Sequence, residues 1–146
     1  GGTLQGLSSL MIDTNKAKEI NDLAIKGDKD KLDSLIGEVV NNIGSLNPKI
    51  TASNFLKARD FSNQSNEDIA SSLANMVGEI IGTISYLNAL LIGVKKVYFV
   101  GRVSLLESVR KGIDERLQLA GVSAEYSNKR EYGNAIGAIA YLHANP

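Results

Sequence analysis

Cysteine is absent from this chain of 146 residues. That excludes a disulfide framework and any thiolate metal site, and it is compatible with the cytosol. Histidine is nearly absent as well. The single His143 stands close to the end of the sequence, which excludes histidine-based triads and zinc clusters. Charge of one sign is lacking: 16 basic and 16 acidic side chains cancel. With no long basic run either, generic nucleic-acid binding is not expected, because it needs a net positive face. No apolar run approaches ~18 residues, so no membrane span is expected. No segment has the charged start and apolar core of a signal peptide. The length suits one domain with a real core.

What is present begins with glycine. The first residue is Gly, not Met, and Gly1-Gly2-Thr3-Leu4-Gln5-Gly6-Leu7 reads as the end of a glycine-rich loop turning into a helix. Thr3 is a good N-cap, and the helix is expected to run to about Met11. Asn15 is placed as the cap of a second helix, Lys16 to Lys26, stopped by Gly27. Asp28 or Asp30 opens a third, with Leu32, Leu35, Ile36 and Val39 or Val40 at helical spacing. Residues 41–63 are rich in turn chemistry and enclose Ile50-Thr51-Ala52-Ser53-Asn54-Phe55, a surface loop or a substrate contact.

Ser65-Asn66-Glu67-Asp68 resembles a capping box. It opens the longest helix, to about Ile92, whose apolar residues from Ile69 to Leu91 keep the 3.6-residue period. A second stripe of Ala74, Gly78, Gly82, Ser85 and Ala89 is small. Each interior glycine costs the helix ~1 kcal/mol against alanine, so another element is expected to approach that backbone closely. Being apolar on more than one side, the helix is expected to be central to the core or to a dimer. After Gly93 comes the strand Val97-Tyr98-Phe99-Val100, apolar on both faces and ending at Gly101. A helix over 104–120, a second strand over 122–126 and a last helix over 133–143 follow. Strand-helix-strand order implies a parallel crossover. Two short parallel strands make a poor sheet alone, so further strands are expected, either in 36–55 or from residues outside this chain. The acidic pairs Glu67/Asp68 and Asp114/Glu115, and the basic pairs Lys95-Lys96 and Lys129-Arg130, read as solvated surface.

Taken in order, these pieces resemble the C-terminal half of type II pantothenate kinases, in the sugar kinase, Hsp70 and actin-like ATPase superfamily. The resemblance rests on Gly1-Gly2-Thr3-Leu4-Gln5-Gly6-Leu7, Lys26-Gly27-Asp28, Thr51-Ala52-Ser53-Asn54-Phe55, Asp68-Ile69-Ala70 with Met76-Val77-Gly78-Glu79, Val97-Tyr98-Phe99-Val100-Gly101, and Tyr132-Gly133 with Ala135-Ile136-Gly137-Ala138. It implies an α/β fold: a helix-rich C-terminal ribonuclease H-like (actin-like ATPase) lobe with at least two parallel strands and an incomplete sheet. Residues 1–146 would be that single lobe, with the N-terminal lobe absent.

The resemblance further implies ATP-dependent phosphorylation of pantothenate, the first step of coenzyme A biosynthesis, with Mg²⁺ on the phosphates, in a cytoplasmic protein. Gly1, Gly2, Thr3 and Leu4 would touch nucleotide through backbone groups near a helix N-terminus, and Gly101 would lie beside the nucleoside. Gly133 and Gly137 would pack a hinge. The family's phosphate loop, carboxylate base and pantothenate-binding arginine have no counterpart here. No catalytic or metal-ligating residue is therefore assigned, and the chain alone is expected to be inactive. Partners implied are pantothenate, a second copy through the 66–92 helix, and a chain supplying the N-terminal lobe. Where the family has a small residue after the strand-ending glycine, this chain has Arg102, which either fills the nucleotide space or swings out toward phosphate. The alternative is a non-catalytic dimerisation or interaction module derived from that lobe. A further alternative is a kinase acting on a sugar or related hydroxyl compound.

Overall fold

The computed structural model describes residues 1–60 and 64–145. Asn63, one of the expected turn residues, lies outside them. The chain divides into two compact units, Gly2–Met76 and, with Gly1, the chain from Val77 onward.

In the first unit α1 covers Gly2–Ile12 and α2 covers Ala17–Lys26. α1 starts one residue before the expected Thr3, so Gly1 takes the cap position. α2 starts at Ala17 without a side-chain cap from the preceding residue; instead the Thr14 hydroxyl donates to Glu19 (2.6 Å). Leu4, Ile12, Ile20 and Ala24 are buried at helical spacing. Gly27 ends α2 in an extended rather than left-handed conformation. Glycine is needed there because the backbone of Glu67 and Asp68 occupies the place of a Cβ.

The expected third helix does not form. Residues 28–40 break into a 3-10 turn at Lys29–Lys31, the strand β1 (Ser34–Leu35) and one helical turn, α3 (Ile36–Val39). Leu32 is buried, but Val39 and Val40 are exposed, so the apolar spacing was not one helical face. β1 pairs antiparallel with β2 (Thr51–Ser53). Ile36 N–H to Ile50 O (2.8 Å) and Gly37 N–H to Pro48 O (3.0 Å) extend the pairing. The strands sought in 36–55 thus exist in part, but they form their own sheet.

The longest helix, α4, covers Asn66–Ile92 as the period predicts. Half of the capping box is present: the Asp68 N–H donates to Ser65 Oγ (3.1 Å). The Asp68 carboxylate accepts from Asp28 N–H (2.8 Å) and pairs with Lys31 (2.9 Å). It is buried, not the solvated charge expected.

In the second unit the later part of α4 meets α5 (Glu107–Leu119), which starts three residues after the expected position. The small stripe has the expected cause. A Cβ at Gly78 would stand 3.0 Å from Gly112 Cα and 3.2 Å from Ile113 N, against the Val109 carbonyl. One at Gly82 would stand 2.9 Å from the Ile113 carbonyl oxygen and 2.8 Å from Arg116 Cβ. Val109, Ile113 and Leu117 are buried on that face of α5. Arg116 reaches Glu79 at 2.9 Å.

By length and composition α4 could cross a membrane: an 18-residue window has mean hydropathy 1.3, of which 33% is buried. Polar residues interrupt the apolar ones along α4, so no uninterrupted apolar run signals this length in the sequence. Glu79, paired with Arg116, and Gly78 and Gly82 lie against α5, whereas Ile84, Leu87 and Leu91 further along α4 are exposed.

β3 (Lys96–Tyr98) and β4 (Ser123–Glu125) pair in parallel, Val97 opposite Ala124. Phe99 N–H to Glu125 O (3.0 Å) extends the ladder. β3 is not the covered strand expected: Val97 is half-buried, and Tyr98 and Val100 are 66% and 52% exposed, because the described sheet has two strands only. Lys96 pairs across it with Glu125 (3.0 Å). Last comes α6 (Gly133–Ala144). Its Gly133 packs on Val100, whose Cβ would lie 2.7 Å from an added Cβ, so the expected close packing is present there; Gly137 faces open space and does not pack.

The two glycine environments predict opposite signs. Gly78→Ala gains ~1 kcal/mol of helix propensity but forces a rigid backbone apart, so a net loss of ~1–2 kcal/mol is expected in urea unfolding. Gly137→Ala should be neutral or stabilising by up to ~1 kcal/mol. A stabilised Gly78→Ala would contradict the close approach of α4 and α5.

Candidate functional site

At the carboxyl ends of the two parallel strands the chain turns sharply. Gly101 holds φ at +93°, a conformation that favours glycine. Its N–H donates to the Arg130 carbonyl (2.8 Å), while its own carbonyl accepts from the buried Ser104 hydroxyl (2.7 Å). Arg102 opens the 3-10 turn Arg102–Leu105 and is exposed. Gly1 belongs to the same unit and stands against this turn, its would-be Cβ 3.1 Å from Val103 Cγ2. The structure therefore brings three of the candidate residues, Gly1, Gly101 and Arg102, into one neighbourhood. Gly2, Thr3 and Leu4 form the first turn of α1, where backbone N–H groups have no helical acceptor. The Leu4 side chain is buried, so only its backbone could serve a ligand.

Next to the turn, Phe99 and Tyr126 stack with centroids 5.5 Å apart. Arg110 and Arg130 lie 5.5 and 5.8 Å from the Tyr126 centroid. The Tyr126 hydroxyl donates to Asp114 (2.8 Å). Burial and that bond push the tyrosine well above its ordinary pKa, so it stays protonated. Neither Asp114 nor Arg130 is the plain surface charge that sequence reasoning expected.

In the first unit sequence reasoning missed Asp33, a wholly buried carboxylate. It accepts from Phe55 N–H (2.9 Å), Asn75 Nδ2 (3.2 Å), Asn54 Nδ2 (3.4 Å) and the Ser72 hydroxyl. Asn75 also donates to Thr51 Oγ1 (3.2 Å). The segment 51–55 is thus not a plain loop: Thr51–Ser53 is β2, and Phe55, at φ +58°, is turned so that its N–H meets Asp33. An acidic residue amid Leu32, Leu35 and Ile36 was the available signal. Among the described residues no group of three His, Cys, Asp or Glu side chains could hold a metal ion.

A two-unit α/β chain with a glycine turn at the ends of parallel strands, and a glycine-led helix N-terminus, is the class that fold and site define. Residues 1–110 match the Fumble family, and the chain belongs to that family, the pantothenate kinases. Pantothenate kinase 2 of Arabidopsis thaliana is 36% identical over 109 residues, covering 69% of this chain and 12% of that protein. Pantothenate kinase 1 of the same plant is 34% identical over 110 residues, covering 69% and 28%. The type II pantothenate kinase of Bacillus cereus (strain G9842) is 31% identical over 153 aligned positions, covering 99% of this chain and 53% of that protein. The chain thus spans about half the length of the bacterial relative and less of the plant ones.

Burial pushes Asp33 above the ordinary carboxylate range, outweighing the donors from Ser72, Phe55 and Asn54 and the Lys29 charge, which pull it down. With the folded value raised, the folded state holds this proton more tightly than the unfolded chain. The contribution is largest below about pH 4 and falls as pH climbs through the folded value. Asp33→Asn turns an amide N–H₂ toward donors and should cost ~2–4 kcal/mol. The cost should shrink as pH rises above about 4 in urea unfolding; a cost that grows with pH would show that the donors outweigh burial.

Proposed function

We propose that this chain forms the ATP-side part of a type II pantothenate kinase with an actin-like ATPase fold. It would serve transfer of the γ-phosphoryl of ATP to the primary hydroxyl of pantothenate, in coenzyme A biosynthesis. The observation that carries the reading is the alignment along 99% of the chain with a type II pantothenate kinase. Two features agree with it. The first-turn N–H groups of Gly2, Thr3 and Leu4 suit phosphate oxygens. The Gly101 turn lies at the carboxyl ends of parallel strands, where open α/β sheets bind ligands.

Phosphoryl transfer of this kind rests on positioning and charge stabilisation. In this reading the chain's share is to cradle nucleotide with Gly1, Gly2, Thr3, Leu4 and Gly101, while exposed Arg102 swings out toward phosphate. Mg²⁺ would arrive as the counterion of ATP, since the described residues offer it no cluster of their own. Pantothenate would be met mainly by residues outside this chain, on an N-terminal lobe. The exposed apolar residues Ile84, Leu87 and Leu91 of α4 support pairing with a second copy, and the location would be cytoplasmic.

Titration with a fluorescent ATP analogue tests the reading. Saturable binding is expected, weakened about tenfold or more by Gly101→Val, since a β-branched residue is strained at positive φ. No turnover of pantothenate is expected from the chain alone. Absence of binding in the native chain that Arg102→Gly restores would contradict the reading and favour a non-catalytic module. So would turnover by the isolated chain, which would place the missing reactive groups within it.

A further inference from the structure

The turn after β3 is held at both ends by one residue far along the chain. Arg130 accepts the Gly101 N–H on its backbone carbonyl (2.8 Å). Its side-chain Nε donates to the Ser104 carbonyl (3.2 Å) and its Nη1 to the Ser127 carbonyl (3.2 Å). The guanidinium lies over the Tyr126 ring, which is stacked on Phe99 and anchored through its hydroxyl to Asp114. Lys129, just before it, adopts φ +61°, a conformation that a non-glycine residue keeps only when its surroundings impose it. Backbone and side chain of Arg130 thus grip opposite ends of the four-residue span Gly101–Ser104.

We infer that Arg130 is a positioning residue for the nucleotide-side turn, acting through Gly101 and Ser104 rather than by touching the ligand. The inference rests on the reading that this turn meets nucleotide. Glycine visits positive and negative φ about equally when unrestrained. A turn whose Gly101 must sit at positive φ therefore loses entropy on binding unless something fixes it beforehand, and fixing it improves affinity without a new ligand contact. Lysine could not substitute. It has no planar group to lie on Tyr126 and no Nε–H aimed along the Ser104 carbonyl.

The test measures hydrogen exchange and nucleotide affinity on the full chain, with a fluorescent ATP analogue as probe. In Arg130→Ala, exchange at the Gly101 amide should rise about tenfold or more, while Val109, Ile113 and Leu117 in α5 keep their protection. The dissociation constant for the analogue should rise by about the same factor. Arg130→Lys should behave like Arg130→Ala, and should decide the matter if the alanine variant loses α5 protection as well. Unchanged Gly101 exchange in both Arg130 variants would overturn the latch. Raised exchange with unchanged affinity would overturn its role in nucleotide positioning. A native chain that binds no analogue would sink the nucleotide reading itself, while the exchange data still show whether the latch exists.

Discussion

A buried polar row along α4 is the constraint on which the rest depends. Asp68, Ser72, Asn75 and Glu79 are all buried, at a spacing that puts them on one helical stripe. Each such group must find a partner or cost more than its burial gains. Asp68 takes the Asp28 N–H and Lys31. Ser72 and Asn75 take Asp33, and through it the Phe55 N–H. Glu79 takes Arg116 on α5. The row therefore specifies which distant segments lie against α4 in each unit, which an apolar stripe alone would not do.

The glycines of α4 add the second half of that specification. Polar groups choose partners by direction; Gly78 and Gly82 choose by distance, admitting the α5 backbone where any side chain would collide. With α5 set, β4 follows at its end, since Val122 N–H bonds the Leu117 carbonyl (3.1 Å) and Ser123 N–H bonds Lys95 (2.9 Å) to start the parallel pair. The pair ends at Gly101, so the candidate nucleotide turn is the far end of a chain of constraints that starts inside α4.

Much of this architecture was legible in the residues. α4 announced itself by period and cap, and its glycines by the cost they would otherwise carry. β3 was marked by Gly93 before it, Gly101 after it and the apolar run between Val97 and Val100. What was not legible depended on partners remote in sequence. Residues 28–40 have helical spacing, yet Asp33 collects donors from Asn54, Phe55, Ser72 and Asn75, and those bonds favour a bent strand over a third helix. Arg130 looked like surface charge because its acceptor Ser104 and the donor Gly101 are brought to it only by the fold. Of the candidate site, Gly101 could be found from the strand that ends at it, whereas nothing local linked Gly1 to Val103.

The central proposal is that backbone amides of the turn after β3 meet nucleotide, with those of the first turn of α1 proposed separately for phosphate. Backbone amide shifts of the ¹⁵N-labelled chain, followed while Mg²⁺-ATP is added, test it most directly. The account predicts the largest movements at Gly2, Thr3, Leu4, Gly101 and Arg102. A spectrum that stays still, or moves only along α6 and the exposed end of α4, would contradict it.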